Sequence, residues 1–135
     1  MYDVIIIGGG YAGLSAALQL ARTRRSILVI DHGLRRNRFA ATSHGFLGQD
    51  GRAPGEIIDE ARAQLFRYPT VDWLEDRVEQ AEGSADDFRV ITVENGEKTG
   101  RRLVLALGVK DELPAIPGLE ERWGRSVFHC PYCHG

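Results

Sequence analysis

An α/β fold with a parallel sheet is predicted by three features of the first 31 residues: an apolar run stopping at a cluster of glycines, a helical apolar stripe, and a second apolar run closed by an acid. The run Asp3–Ile7 is β-branched and does not alternate with polar residues, the pattern of a central strand buried on both faces. Ala12–Thr23 predicts a helix: Leu14, Ala17, Leu18 and Ala21 recur at helical spacing, while Gly13 and Ala16 allow close packing on the sheet. Ser26–Asp31 predicts the second strand. Strand, helix and strand within about thirty residues make one right-handed βαβ crossover.

Gly33–Gly55 is rich in Gly, Arg, Asn, Ser and His without periodicity and predicts a long loop of the kind that is usually functional. Pro54 opens a second helix, whose stripe Ile57, Ile58, Ala61, Leu65 and Phe66 ends before Pro69. Beyond it the pattern changes to strands near Val71–Gln80, Phe88–Glu94 and Arg101–Leu107, with Asn95-Gly96 as a hairpin turn, and these predict a β-meander. Pro114 and Pro117-Gly118 then break the chain, marking a domain exit, and Leu119–Gly135 begins a further element.

Gly8-x-Gly10-x-x-Gly13 follows the first strand and opens the first helix, and Asp31 ends the next strand about twenty residues on. This is the pattern of a Rossmann-type dinucleotide site. Gly8 permits the tight turn, Gly10 lacks a Cβ that would strike a pyrophosphate, and Gly13 lets helix and strand pack closely. The N–H groups and positive dipole end of the helix favour the anion, and Asp31 accepts hydrogen bonds from the adenosine ribose. FAD and NAD share this half, so the turn alone does not choose between them. The meander, standing where a doubly wound sheet would continue with βα units, favours FAD.

The 135 residues, 43% hydrophobic and 27% charged, suit one globular core. Seventeen basic residues against nineteen acidic leave a net charge of −2, with no bulk positive field for nucleic acid or anionic lipid, so a small-molecule partner is expected. Val4–Ile7 is too short for a signal-peptide core or a membrane span, and a cytoplasmic location is the expectation. There is no repeat and no low-complexity tract.

Both cysteines fall in a C-x-x-C, Cys130 and Cys133, followed by His134. In a reducing compartment this spacing points to redox chemistry, because the two sulfurs close a small ring and a lowered thiol pKa supplies the attacking thiolate. Three other readings share these residues: a c-type haem attachment motif, a zinc site drawing on His129 as well, and two inert buried thiols.

The glycine turn, the meander, Leu103-Val104-Leu105-Ala106-Leu107-Gly108, the linker Leu113–Gly118 and Cys130-Pro131-Tyr132-Cys133 occur in an order that resembles thioredoxin reductase-like flavoproteins, the class II pyridine nucleotide-disulfide oxidoreductases. The resemblance implies that residues 1–116 form the N-terminal part of an FAD-binding domain and that residues 117–135 begin an NAD(P)H domain, truncated here. It places Gly8, Gly10, Tyr11, Ala12 and Gly13 on the pyrophosphate, Asp31 on the ribose, and Asn37 and Arg38 on a neighbouring face of FAD. Val78 would meet the adenine through its backbone, and Ala106 and Gly108 would lie where a strand end approaches the cofactor. Leu107 stands where the family has threonine, so the hydroxyl is absent.

The resemblance also implies that Cys130, Cys133 and His134 are catalytic. Electrons would pass from NADPH to FAD to the Cys130–Cys133 disulfide and on to an external disulfide, or in reverse from a dithiol. Cys133 would be nearer the flavin, and His134 replaces an acid and would trade protons with a cysteine. The acceptor would be a small-molecule dithiol or disulfide or a thioredoxin-like protein, and the parent a homodimer. The Cys-Pro-Tyr-Cys-His-Gly ending and the loop Ser43–Gly48 depart from ordinary thioredoxin reductases toward a subgroup with relatives that oxidise small-molecule dithiols. His44 in that loop reads either as a residue facing the flavin or as a solvated one. The competing function is a free-standing nucleotide-binding module without catalysis. The isolated chain is expected to be inactive and to hold FAD weakly.

Overall fold

A computed structural model describes the backbone of residues 1–134 and the side chains of residues 1–132. The expected crossover is formed by β1 (Tyr2–Ile7), α1 (Tyr11–Arg22) and β2 (Ile27–Asp31). β1 and β2 run parallel, with Val4 opposite Ile27 and Ile7 opposite Ile30. After α2 (Pro54–Leu65) come β3 (Val71–Glu75), β4 (Val78–Ser84), β5 (Asp87–Thr92) and β6 (Gly96–Leu105). They complete a six-stranded sheet in the order β3-β2-β1-β6-β5-β4. The fold is α/β, with a parallel sheet and a meander, as the sequence predicts.

One expected strand is two. Val71–Gln80 breaks at Asp76-Arg77, so that β3 pairs with β2 at one edge of the sheet and β4 with β5 at the other. A two-residue link can span that distance because β6 belongs to both halves. Gly96 to Gly100 pair antiparallel with β5, and Gly100 to Leu105 pair parallel with β1. The meander thereby folds back over the parallel strands. Val90 packs with Ile5, Ile7, Leu28 and Ile30, and Val78, Leu74 and Leu103 join the same cluster. On α1, Gly13, Leu14, Ala17 and Ala21 are the buried stripe, and the helix packs on β1 and β2. Burial on both faces is why these strands read as unbroken apolar runs.

Gly100 is where β6 changes partners. It lies opposite Phe88 on one side and Tyr2 on the other, and a Cβ there would come within 2.8 Å of Ile5 Cγ1. Ile5 is fully buried and has little room to yield. Gly100→Ala is therefore expected to destabilise the protein by about 1–3 kcal/mol through overpacking, read from the shift in a urea unfolding curve.

The chain divides into two compact units, residues 1–33 with 61–108, and residues 34–60 with 109–135. The first holds the sheet. In the second, the expected loop contains a 3-10 turn, Arg36–Phe39, tied to the later segment by Arg36, whose Nε and Nη2 donate to the two carboxylate oxygens of Asp111 at 3.0 and 2.7 Å. This unit also carries the short helices α3 (Leu119–Arg122) and α4 (Pro131–His134). Phe66, expected in the apolar stripe of α2, instead lies just beyond the helix. It is half exposed and meets the Trp73 ring edge-on at 5.9 Å. No helix among the described residues is long and apolar enough to cross a membrane.

Candidate functional site

The expected nucleotide-binding residues of the first unit gather at the C-terminal edge of β1, β2 and β6. Gly8 follows β1, and its N–H donates to Ile30 O at 2.8 Å. The Ala106 N–H, just beyond β6, donates to Ile7 O at the same distance. Asp31 ends β2, and its Oδ1 accepts the Gly9 N–H at 2.9 Å. The acid thus fixes the turn through one oxygen. Among the described residues its Oδ2 takes no hydrogen bond.

The glycines of the turn divide by what demands them. Gly8 has φ +106°, and a Cβ on it would overlap the Ala106 carbonyl oxygen at 2.1 Å. A Cβ on Gly13 would lie 1.8 Å from Gly8 O. Both are required by the protein's own packing. Gly10 differs: its φ is −78°, open to any residue, and beyond its own chain neighbours no atom of the described residues comes within 4 Å of where its Cβ would stand. It is the N-cap of α1, makes no side-chain cap, and is followed by a first turn with no acid. A helix start with no internal counter-charge and clear space over it suits an anion. The residues present therefore fit the pyrophosphate of a dinucleotide.

Beside the turn lies a cavity of about 380 Å³ lined by Gly8, Ile30, His32, Leu105, Leu107 and the start of β4, Val78 included. Its size suits a small-molecule group. Sequence reasoning singled out Val78 but missed His32 and Arg77, which also line it. For His32 the available signal is its place directly after Asp31 at a strand end.

Asp76 holds the β3–β4 link in shape. It is buried, with 8% exposure, and accepts the N–H groups of Arg77 at 2.7 Å and Asn95 at 3.0 Å, the Asn95 side-chain amide at 2.8 Å, and the more distant Glu94 N–H. Burial by itself would raise its pKa. The hydrogen bonds, led by Asn95, outweigh that and hold the carboxyl far below the ordinary range.

The second unit holds the other expected residues. Asn37 and Arg38 lie in the 3-10 turn, where Arg38 Nη1 donates to Arg35 O at 2.6 Å and the guanidinium sits 4.3 Å from the Phe39 ring centroid. Arg38, Phe39 and Trp123 help line a cavity of about 640 Å³ together with the 109–116 segment. The Arg36 pair is the main cause that lowers the Asp111 pKa. Arg36→Gln is expected to raise it toward the ordinary carboxylate range, a shift that side-chain carboxyl NMR across a pH series would measure.

Gly108, at φ +69°, closes the first unit with open space about it. Cys130 is half-buried directly before α4, and His129 beside it lies 6.0 Å from the Trp123 ring. The side chains of Cys133 and His134 lie outside the described residues. His44 has Nε2 3.3 Å from Thr42 Oγ1 and Nδ1 3.5 Å from Asp50 Oδ1. Among the described residues no group of three His, Cys, Asp or Glu side chains is arranged to hold a metal.

Comparison with known proteins is consistent across the chain. Residues 2–135 match the family described as pyridine nucleotide-disulphide oxidoreductase. A thioredoxin reductase of Claviceps purpurea is 43% identical over 98% of this chain, which spans 42% of that protein. A crystal structure of an oxidoreductase from Agrobacterium tumefaciens superposes with a TM-score of 0.95 at 65% identity, covering 98% of this chain and 45% of that one. That of a putative thioredoxin reductase from Bacillus anthracis gives 0.92 at 36% identity, over 98% and 45% of the two chains. The chain thus spans less than half the length of these relatives. With the glycine turn, Asp31 at the end of β2 and the meander on the matched fold, this chain belongs to the pyridine nucleotide-disulphide oxidoreductase family.

Proposed function

We propose that the protein carrying this chain is an FAD-dependent disulfide or dithiol oxidoreductase of thioredoxin reductase type, and that the glycine turn, Asp31 and the cavity at Val78 hold the ADP half of FAD. The observation that carries the cofactor reading is Gly10, whose missing side chain serves no contact within the protein. The relatives named thioredoxin reductase, aligned across nearly the whole chain, support the reaction class. FAD would supply a two-electron carrier between NADPH and a disulfide.

The chain's own residues would divide the work. The α1 N-terminus would neutralise pyrophosphate charge and Asp31 would orient the ribose. Asn37 and Arg38 would meet a neighbouring face of the cofactor, and Ala106 and Gly108 would admit it past the end of β6. Cys130 and Cys133 would exchange between a disulfide and two thiols, taking up two electrons and two protons, with His134 carrying a proton to or from a cysteine. Residues 117–135 would begin the NAD(P)H domain, and the external partner would be a small-molecule dithiol or disulfide or a thioredoxin-like protein.

Anaerobic titration of the full-length protein with NADPH tests this. The proposal expects the flavin absorbance to bleach and the count of reactive thiols to rise by two per chain. A flavin that NADPH reduces with no change in thiol count would reject the disulfide mechanism.

A further inference from the structure

The glycine turn has a fourth glycine whose identity the nucleotide pattern leaves open, and the structure gives its reason. Gly9 is the free position of Gly8-x-Gly10, and its φ lies in the range any residue adopts. A Cβ there would nevertheless stand 2.3 Å from Trp73 Cη2, 2.6 Å from Cζ2 and 2.8 Å from Asp31 Cβ. Gly9 is glycine because the far edge of an indole ring fills the space beside it. The same space is bounded by the Cβ of Asp31, whose Oδ1 accepts the Gly9 N–H at 2.9 Å.

Trp73 is placed there at a cost. Its Nε1 is buried and has no hydrogen-bond partner among the described residues, although a buried tryptophan N–H ordinarily finds one. A phenylalanine would fill a core site without leaving that donor unpaired, but its single ring would not extend as far toward Gly9. The indole is clamped on its other sides. Arg62 lies over the ring at 4.3 Å, Phe66 meets it edge-on, and Arg62 also pairs with Glu75 at 3.4 Å. Trp73 pairs in register with Val29, two residues before Asp31, so the strand pairing aims the ring at the end of β2.

We propose that Trp73 is a positioning residue for the nucleotide: its second ring wedges Gly9 and the Asp31 side chain together, so that Oδ1 stays on the turn and Oδ2 stays directed to the adenosine ribose. The proposal rests on the assignment of Asp31 to the ribose in the function proposed above. It predicts that loss of the wedge removes recognition of the ribose hydroxyl rather than phosphate binding as a whole, because the α1 N-terminus is untouched.

Competition of ADP and of 2′-deoxy-ADP against FAD, on the full-length apoprotein and on Trp73→Leu, tests it. In the wild type ADP is expected to bind about tenfold tighter than its deoxy analogue, the order of effect of one charge-assisted hydrogen bond. In Trp73→Leu the ratio is expected to fall close to one. If Trp73→Leu does not accumulate as folded protein, Trp73→Phe, which keeps one ring but not the second, is measured instead with the same expectation. A ratio unchanged in the folded variant overturns the proposal, whatever happens to the melting temperature. A wild type that does not discriminate between the two nucleotides fails earlier, at the assignment of Asp31 itself.

Discussion

Gly13→Ala is expected to leave the protein unable to reach its folded state, whereas Gly10→Ala is expected to fold normally and lose its nucleotide. The two glycines are three residues apart in one motif, and a pattern alone treats them alike. A methyl group on Gly13 would lie 1.8 Å from the Gly8 carbonyl oxygen, backbone against backbone, with no side chain able to move aside. Relief requires α1 to leave β1, and with it the buried stripe Leu14, Ala17 and Ala21. A loss of more than about 4 kcal/mol is the expected scale for a core clash that no rotamer relieves. Gly8→Ala belongs with it, since a Cβ there would overlap the Ala106 carbonyl at a positive φ.

At Gly10 the methyl meets nothing within 4 Å among the described residues beyond its chain neighbours, and the residue already has φ −78°. As an N-cap, alanine is worse than glycine by under about 1 kcal/mol, so the thermal midpoint should move only a little. The same methyl would stand where the pyrophosphate approaches the helix, and FAD affinity should fall at least about tenfold. Circular dichroism melting and FAD titration of both full-length variants read the two effects separately.

Asp76→Ala is expected to lower the thermal midpoint by about 10 °C or more, because it removes the acceptor of several buried donors at once and leaves them unpaired. The affected donors are the Arg77, Glu94 and Asn95 N–H groups and the Asn95 amide, which join the β3–β4 link to the β5–β6 turn. Val78 follows directly, so the cavity it lines should lose its shape as well.

The pH dependence has a definite sign. The folded pKa of Asp76 lies below its ordinary value of 3.8, so its contribution is complete above that value and is lost as pH falls through the folded pKa. Wild-type stability should therefore decline on acidification from about pH 4 downward, and the gap between wild type and Asp76→Asn should narrow over the same range. Urea unfolding at a series of pH values between 2 and 6 checks this. A gap that stays constant across the series would separate the carboxylate's charge from its role.

The β1–α1–β2 crossover was legible because burial on both faces forced an unbroken apolar pattern, and because Gly8 and Gly13 answer to sterics that a motif records. β4 was not legible in the same way. Beyond half-buried Val78, its residues Glu79 to Ser84 are exposed, so neither face imposes a period on the sequence. Asp76 falls inside the single strand, Val71–Gln80, that the sequence predicts. Its meaning depends on donors 18 and 19 residues later, brought to it only by the folded meander.

Within the candidate site, the motif marks the glycines and the acid of the turn and passes over the residues that act through shape. His32 lines the cavity from its place after Asp31 at the end of β2, and Gly9 is glycine because Trp73, 64 positions later, reaches into its space. Both relations are tertiary, and no local spacing encodes them. The C-x-x-C was legible in the opposite sense: the motif names a chemistry before any geometry is known, and its identity as a redox pair rests on the resemblance to the family.

The most direct measurement of the central claim is a displacement titration, in which ADP competes with FAD for the full-length apoprotein and for its Gly10→Ala variant. ADP is expected to displace FAD from the wild type at a single site, and the folded variant to bind both ligands at least about tenfold more weakly. ADP that fails to compete, or a Gly10→Ala protein that binds both as tightly as the wild type, would contradict the placement of the ADP half of FAD on the Gly8–Gly13 turn.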